Sequence, residues 1–207
     1  MSDAIDRRPS TLLGFAGAPT QPASFAEAAL VLIDYQAEYL TGSLKLPDGA
    51  SALVEAQRLL AAARAAGAPV FHVVHHGRPG GRLFDPDGPY VAIAAPLAPL
   101  AGETVIAKPL PNSFAQTDLQ AAIARSGRKQ LIIAGFMTHL CVSATTRAAL
   151  DLGYRSTVVA EACASRDLPD PLSGGVVAAG EVHRATLAAL ADRFAIVVRK
   201  TDQLAVG

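Results

Sequence analysis

The feature that most constrains the fold is a series of six short apolar runs, separated by longer stretches with helical periodicity. Each run is apolar on both faces of an extended chain, a pattern typical of strands buried on both sides in a parallel sheet. Parallel neighbours need a crossover connection, usually a helix, and most of the intervening stretches are long enough to supply one. The predicted strands span 29–33, 69–74, 104–107, 130–134, 156–160 and 194–198.

Helical patterns with recognisable ends lie between these runs. The first is followed by Gly67, which suits the left-handed position that often ends a helix. Ser113 and Gln116 have the spacing of a capping box at the start of the second. The predicted helices span 48–66, 113–126, 139–152 and 180–193. Alternating strands and helices predict an α/β fold: a three-layer, open, Rossmann-like parallel sheet of six strands with helices on both faces.

The chain of 207 residues fits one domain preceded by a short arm. Residues 1–27 contain several prolines and glycines without periodicity, which predicts an extended arm that packs on the body or on a partner subunit. Residues 28–207 hold all of the predicted elements and form the domain. Within it, 77–102 is rich in glycine and proline and predicts a long loop with short helical pieces at most. Loops of this length are usually functional.

Composition narrows the classes of function. Eighteen lysines and arginines balance 18 aspartates and glutamates, so no net field attracts nucleic acid or an anionic membrane. No apolar stretch reaches the ~18 residues of a membrane span, and the first residues lack the pattern of a signal peptide. Two cysteines are too few for a disulfide framework. We therefore expect a cytoplasmic protein that acts on a small molecule and binds neither nucleic acid nor membrane.

Three polar residues stand where predicted strands end. Asp34 follows the first strand, Lys108 follows the third, and Cys141 lies a few residues beyond the fourth. Open parallel sheets bind ligands beyond the carboxyl ends of their strands, so the three side chains would share one edge. A thiol is a strong nucleophile once ionised; a carboxylate can take its proton, and an ammonium favours the thiolate. This combination indicates nucleophilic catalysis.

Each of these residues also has a plainer interpretation. A lone cysteine in an apolar helix is most often inert packing. An aspartate at a strand end often caps a turn, and Lys108 before Pro109 suits a solvated loop. Their coincidence at one predicted edge is what favours a shared site over three separate structural roles.

Three segments resemble the isochorismatase-like cysteine hydrolases, a family that includes nicotinamidases, carbamoyl-sarcosine amidohydrolases and isochorismatases. The segments are LVLIDYQ, KPLPNSF and GFMTHLCVSATTRAALDLGY; they stand in the family's order, and the last is highly specific. The resemblance implies that Asp34 is the general base, Lys108 its electrostatic partner and Cys141 the nucleophile that forms a thioester. It also implies a six-stranded parallel sheet and a homodimer or homotetramer.

The same resemblance implies a cis peptide bond between Phe136 and Met137, although neither residue is proline. At this place Gly135 must pass the chain from a buried strand to a helix while two N–H groups aim at one point. The N–H groups of Met137 and Cys141 are the natural pair for an oxyanion hole.

Three further residues are candidates for substrate binding. Gln36 follows Asp34 closely and could face the pocket or cap a loop. Phe114 ends the second segment, and Thr138 lies inside the third. We expect these three side chains to lie near the nucleophile.

The chain departs from the family at the nicotinamidase metal site. Nicotinamidases have an Asp-x-His motif and a following histidine, whereas this chain has FHVVHHGRPGG, with no carboxylate between its histidines. Packing and loop roles are therefore expected for His72, His75 and His76, and neither a metal nor another cofactor is predicted. True isochorismatases generally lack the cysteine, so Cys141 indicates hydrolysis of an amide-type C–N bond. The alternatives are an isochorismatase-type hydrolase without covalent catalysis, and a non-catalytic protein that binds a small molecule or senses thiols.

Overall fold

A parallel sheet of six strands forms the centre of the computed structural model, which describes residues 9–205. The strands in chain order are β1 (Ala28–Ile33), β2 (Val70–His75), β3 (Thr104–Lys108), β4 (Gln130–Phe136), β5 (Arg155–Ala164), the short β6 (Leu168–Pro169) and β7 (Val176–Val177), and β8 (Ile196–Val198). The sheet order is β3-β2-β1-β4-β5-β8, and all neighbours are parallel. Strands β6 and β7 form a separate antiparallel pair. The predicted α/β architecture is confirmed.

Four helices occupy the connections between strands, as the periodicity predicts, and one short helix lies before β1 in the predicted arm. They are α1 (Leu12–Phe15), α2 (Gly49–Ala65), α3 (Leu119–Arg125), α4 (Ser143–Asp151) and α5 (Ala179–Arg193). A π-helical turn, Thr138–Val142, leads directly into α4 and carries the cysteine of interest. Within residues 9–205, no helix is long and apolar enough to cross a membrane.

Strand β3 differs from the strand that the sequence predicts. Val105 is 49% exposed whereas Ile106 is buried, so the strand alternates instead of being covered on both faces. The reason is its place at the edge of the sheet, where it has one neighbouring strand. Its last residue, Lys108, is nevertheless fully buried.

The predicted helix 113–126 forms only in its second half. The Ser113 hydroxyl accepts a hydrogen bond from Thr145 Oγ1 at 2.8 Å, and the Ser113 N–H donates to the same oxygen at 3.0 Å. Gln116 has a φ of 59°, which no right-handed helix permits. The capping box is therefore not formed, because tertiary contacts with the helix that follows β4 replace it.

The described part of the predicted arm packs on the domain, while residues 1–8 lie outside the described residues. Phe25 is 1% exposed, and its N–H donates to the carbonyl of Ala205 at 3.1 Å. The Ala23 N–H donates to Thr157 Oγ1 at 2.9 Å, which ties the arm to β5. The segment from residue 23 onward therefore belongs to the core.

The contact between β1 and β4 positions the site. Gly135 pairs with Ile33 across the two strands, and a Cβ at Gly135 would overlap the Ile33 carbonyl oxygen. Its φ of 148° is also strained for other residues, so only glycine allows this close approach. The long loop 77–102 contains one short helical turn, Ala95–Leu97, as the sequence predicts.

Candidate active site

Asp34 follows β1 at the place where the strand order reverses. From β1 the chain adds β2 and β3 on one side, and β4, β5 and β8 then follow on the other side. Open α/β sheets bind ligands in the crevice that forms where the order reverses, here between β1 and β4. Asp34 has a φ of 55°, a left-handed conformation that aspartate tolerates better than most residues. Its N–H donates to the Val73 carbonyl at 2.8 Å, and its side chain is fully buried. The turn thus leaves the carboxyl group enclosed at the edge of the sheet.

Lys108 and Cys141 meet Asp34 at this edge. Nζ of Lys108 lies 2.8 Å from Oδ2 of Asp34, and both side chains are fully buried. The contact is a close ion pair without the angles of a hydrogen bond, and both carboxylate oxygens lack a well-aligned donor within the described residues. The same ammonium donates to Sγ of Cys141 at 3.3 Å. The structure therefore brings the three candidate residues into one buried cluster.

Burial governs the ionisation of this cluster. It raises the pKa of the Asp34 carboxyl above its usual value, although the Lys108 ammonium opposes the shift. The pKa of the Cys141 thiol is raised to about 12, first by burial and then by the Asp34 carboxylate. The thiol is therefore protonated near neutral pH and must lose its proton before sulfur can attack.

A cavity of about 500 Å³ opens over Cys141. Apolar walls come from Tyr39, from Phe84 of the long loop, and from Met137 and Leu140 beside the cysteine. Phe84 is fixed against Tyr39, with ring centroids 5.1 Å apart. The volume and the mainly apolar lining are those of a site for a small molecule.

The peptide bond between Phe136 and Met137 is cis, as the resemblance implies. Phe136 is fully buried, and its ring contacts Tyr35 at a centroid distance of 4.7 Å. Met137 lies at the cavity wall, and its N–H has no hydrogen-bond acceptor among residues 9–205. This N–H is therefore available to a ligand at the start of the turn that carries Cys141.

The three expected substrate-binding residues lie away from the cavity wall. Gln36 is fully buried, and its side-chain amide bonds to backbone atoms. Its Nε2 donates to the carbonyls of His75 at 2.9 Å and Val91 at 2.8 Å. Phe114 stacks on Tyr154, with centroids 6.0 Å apart. Thr138 is fully buried, and its Oγ1 lies 2.8 Å from Nδ1 of His183. Structural partners thus occupy all three side chains, which corrects the expectation that they bind substrate.

Two polar residues that were not predicted for the site also line the cavity: Arg166, and His75, for which a packing or loop role was expected. His75 ends β2, and burial and the nearby Lys108 lower the pKa of its imidazole to about 4, so the ring is neutral near pH 7. Arg166 follows β5 by two residues. The rule that located Asp34, a polar residue at a strand's carboxyl end, could have found His75, whereas Arg166 stands well beyond residue 160, where its strand is predicted to end.

The histidines do not form a metal site in the described part of the chain. Within residues 9–205, no three histidine, cysteine, aspartate or glutamate side chains converge in a way that could hold a metal ion. His72 is buried at the other end of the sheet, where Nε2 lies 2.9 Å from Oε2 of Glu103.

Known proteins resemble this chain over nearly its whole length. The secreted isochorismatase effector of Verticillium dahliae is 36% identical over 193 residues, which cover 93% of this chain and 98% of the relative. A maleamate amidohydrolase of Pseudomonas putida is 28% identical over 192 residues, covering 85% of this chain and 84% of that protein. The crystal structure of an isochorismatase from Pseudomonas putida has a TM-score of 0.90 at 44% identity, covering 95% of this chain and 100% of that one.

The match to a defined family covers the sheet and the site together. The isochorismatase domain matches residues 28–202, which include Asp34, Lys108 and Cys141. With this match and the relatives above, the chain belongs to the isochorismatase family of hydrolases.

Proposed function

We propose that this chain hydrolyses an amide-type C–N bond of a small molecule through a thioester on Cys141. The observation that carries the proposal is the buried contact of Lys108 with both Asp34 and Cys141, beside the cavity. The amidohydrolase relative supports an amide as the bond that is cleaved. A cavity of about 500 Å³ suits a small molecule.

Asp34 accepts the thiol proton as Sγ attacks. A thiol with a pKa of about 12 does not ionise alone at neutral pH, and a carboxyl group with a raised pKa is a stronger base than an ordinary one. Lys108 touches both groups, so its charge stabilises whichever of them is negative. The transfer moves one negative charge from oxygen to sulfur and leaves the net charge of the buried cluster unchanged.

The attack forms a bond from Sγ of Cys141 to the carbonyl carbon and places a negative charge on the carbonyl oxygen. The N–H groups of Met137 and Cys141 bind this oxyanion, a contribution of about 3–4 kcal/mol per donor in comparable sites. When the intermediate collapses, the C–N bond breaks and the leaving nitrogen takes the proton from Asp34. The products of this half-reaction are an amine or ammonia and a thioester.

Water completes the cycle by the same route. Asp34, again ionised, takes a proton from a water molecule as its oxygen attacks the thioester carbon. The C–S bond then breaks, the proton returns to sulfur, and the carboxylic acid leaves the cavity. One carboxyl group therefore serves as base and acid in both halves.

Trapping the thioester tests this function. We expect denaturing mass spectrometry, after rapid quench with small primary amides and ureido compounds, to detect an acyl adduct on Cys141. Cys141→Ala should lose both adduct and turnover. Cys163→Ala is the matched control, because Cys163 is a second buried thiol, also with a pKa raised to about 12, that does not line this cavity. Turnover by Cys141→Ala would contradict the covalent route.

A further inference from the structure

The start of the turn that carries Cys141 is tied to α5 by one side-chain contact. Thr138 is the first residue of this turn and is fully buried, and its Oγ1 lies 2.8 Å from Nδ1 of His183. Among the residues that the structure describes, this imidazole is the only hydrogen-bond partner of the hydroxyl. Because a buried hydroxyl without a partner is costly, the contact fixes the place where the turn begins.

The turn's own backbone bonds close it without setting its place in the fold. The N–H groups of Leu140 and Val142 both donate to the Met137 carbonyl, at 3.1 and 3.2 Å. Two groups that the proposed reaction needs therefore move with the turn. They are the N–H of Met137, directly before Thr138, and Sγ of Cys141, three residues after it.

His183 reaches the turn from outside the catalytic cavity. It is half-buried near the start of α5 and lines a second cavity of about 230 Å³, together with Asp48. Burial lowers the pKa of its imidazole, although Asp48 opposes the shift, so the ring is neutral near pH 7. In either tautomer a neutral ring forms one hydrogen bond with the Thr138 hydroxyl, with Nδ1 as acceptor or as donor. His183 does not line the cavity over Cys141, so it acts on the reaction only through Thr138.

We propose that His183 is a positioning residue of the reaction, which acts through Thr138. By holding the start of the turn, this pair directs the Met137 N–H into the cavity. It also keeps Sγ of Cys141 beside Nζ of Lys108, at 3.3 Å. The effect on turnover rests on the proposed amide hydrolysis, in which nucleophile and oxyanion hole must meet at one carbonyl group. A misplacement of about 1 Å can slow such a reaction by about 10²-fold.

Substitutions at both ends of the contact test the proposal by turnover of a small primary amide. His183→Ala and Thr138→Val should each lower kcat by about 10- to 100-fold with little change in KM, because alignment and not substrate binding is lost. The double variant should be no slower than either single variant, since both substitutions remove the same hydrogen bond. Thr138→Ser keeps the hydroxyl, and His183→Asn keeps a polar atom near the place of Nδ1, so both should recover most of the activity.

Thr186→Val is the matched control. Thr186 lies on α5 close to His183, but its hydroxyl donates to the Val182 carbonyl at 2.7 Å, within the helix. The substitution removes a hydroxyl from the same helix without touching the turn, and kcat should be unchanged.

Selective isotope labelling reads the position of the turn without any substrate. Methionine occurs only at positions 1 and 137, so ¹⁵N-methionine labelling, with Met1 at the free terminus, gives a single amide signal, from Met137. We expect this signal to shift in His183→Ala and in Thr138→Val, and to return close to its original place in Thr138→Ser. Thr186→Val should leave the signal where it is.

An unchanged kcat and an unchanged Met137 signal in Thr138→Val would overturn the proposal. Losses of kcat that multiply in the double variant, or that occur without a shift of the signal, would overturn it too, because they would arise elsewhere. If His183→Ala does not fold, Thr138→Val and Thr138→Ser give the same comparison. Failure of the unmodified protein to hydrolyse any amide would contradict the proposed function, whereas the Met137 signal still decides whether His183 sets the turn.

Discussion

Two buried ion networks stand at opposite ends of β3, and they are built in opposite ways. Lys108 ends the strand and pairs with Asp34, whose carboxylate oxygens have no well-aligned hydrogen bond in the described residues. Glu103 precedes the strand, about 16 Å away along an extended chain. Its carboxylate accepts from Nε of Arg64 at 2.8 Å, from the Leu100 N–H at 2.8 Å, and contacts His72 at 2.9 Å.

The two carboxylates respond differently to burial. The pKa of Glu103 is lowered to about 2, chiefly by the hydrogen bonds from Arg64. Burial outweighs Lys108 at Asp34 and raises the pKa of that carboxyl. A carboxylate held by several hydrogen bonds stays ionised and holds the chain together, whereas one whose burial outweighs its partners takes a proton more readily. The same residue type thus serves structure at one end of the strand and chemistry at the other.

The largest expected effect is a difference in catalytic activity between substitutions in the two networks. Asp34→Asn should lower kcat/KM by about 10²- to 10⁴-fold, because an amide keeps the shape but cannot accept the thiol proton. Glu103→Gln should leave kcat unchanged, since Glu103 is remote from the cavity. Steady-state and single-turnover kinetics on both variants check this difference. Comparable losses in the two variants would show that the chemistry does not depend on Asp34 in particular.

Sequence patterns predict the sheet well because a run that is apolar on both faces can be buried only between two layers. They also place Asp34, Lys108 and Cys141 together, because parallel strands bring their carboxyl ends to one edge. The sequence pattern does not predict that β3 is exposed on one face, since nothing local in its sequence marks an edge strand. The pattern also fails for the first half of the helix predicted over 113–126, because its competing partner, Thr145, is about 30 residues away.

The side chains that line the cavity are harder to predict from the sequence than the cluster of Asp34, Lys108 and Cys141. Gln36, beside Asp34 in sequence, turns away to hold two backbone carbonyls. Phe84 reaches the cavity from a loop whose path no periodicity specifies. Arg166 becomes conspicuous only when its Nε is seen to lack a partner. Such features depend on long-range packing, which a local pattern does not encode.

A second prediction compares the contribution of the Glu103 network to the free energy of unfolding with that of a surface ion pair. Glu103→Gln should lower the free energy of unfolding by about 2 kcal/mol, because Arg64 loses a charged partner in a largely buried network. Urea unfolding at pH 7 measures this change. Arg199→Gln is a suitable control, since Arg199 pairs with Glu161 at the surface and its loss should cost well under about 1 kcal/mol. An equal effect of the two substitutions would mean that the Glu103 network is no stronger than a surface pair.

The two carboxylates should also give stability opposite pH dependences. The pKa of Glu103 is lowered on folding, so its contribution is present above pH 4.5 and is lost as the pH falls towards 2. The pKa of Asp34 is raised, so its contribution declines as the pH rises from 3.8 through the folded value. Urea midpoints between pH 2 and 6 should therefore rise less steeply with pH in Glu103→Gln and more steeply in Asp34→Asn. Parallel curves for both variants and the unmodified protein would contradict these shifts.

The smallest expected effect concerns His72, within the structural network. Burial lowers the pKa of its imidazole, although Glu103 opposes the shift, so a neutral ring donates to that carboxylate. His72→Gln keeps a donor and should cost less than about 1 kcal/mol at pH 7. Because the folded pKa lies below 6.5, the histidine's contribution should shrink as the pH falls from 6.5. Urea unfolding of both proteins at pH 7 and 5.5 should show the difference between them narrowing at the lower pH; a widening difference would mean that His72 is protonated in the fold and forms a true ion pair with Glu103.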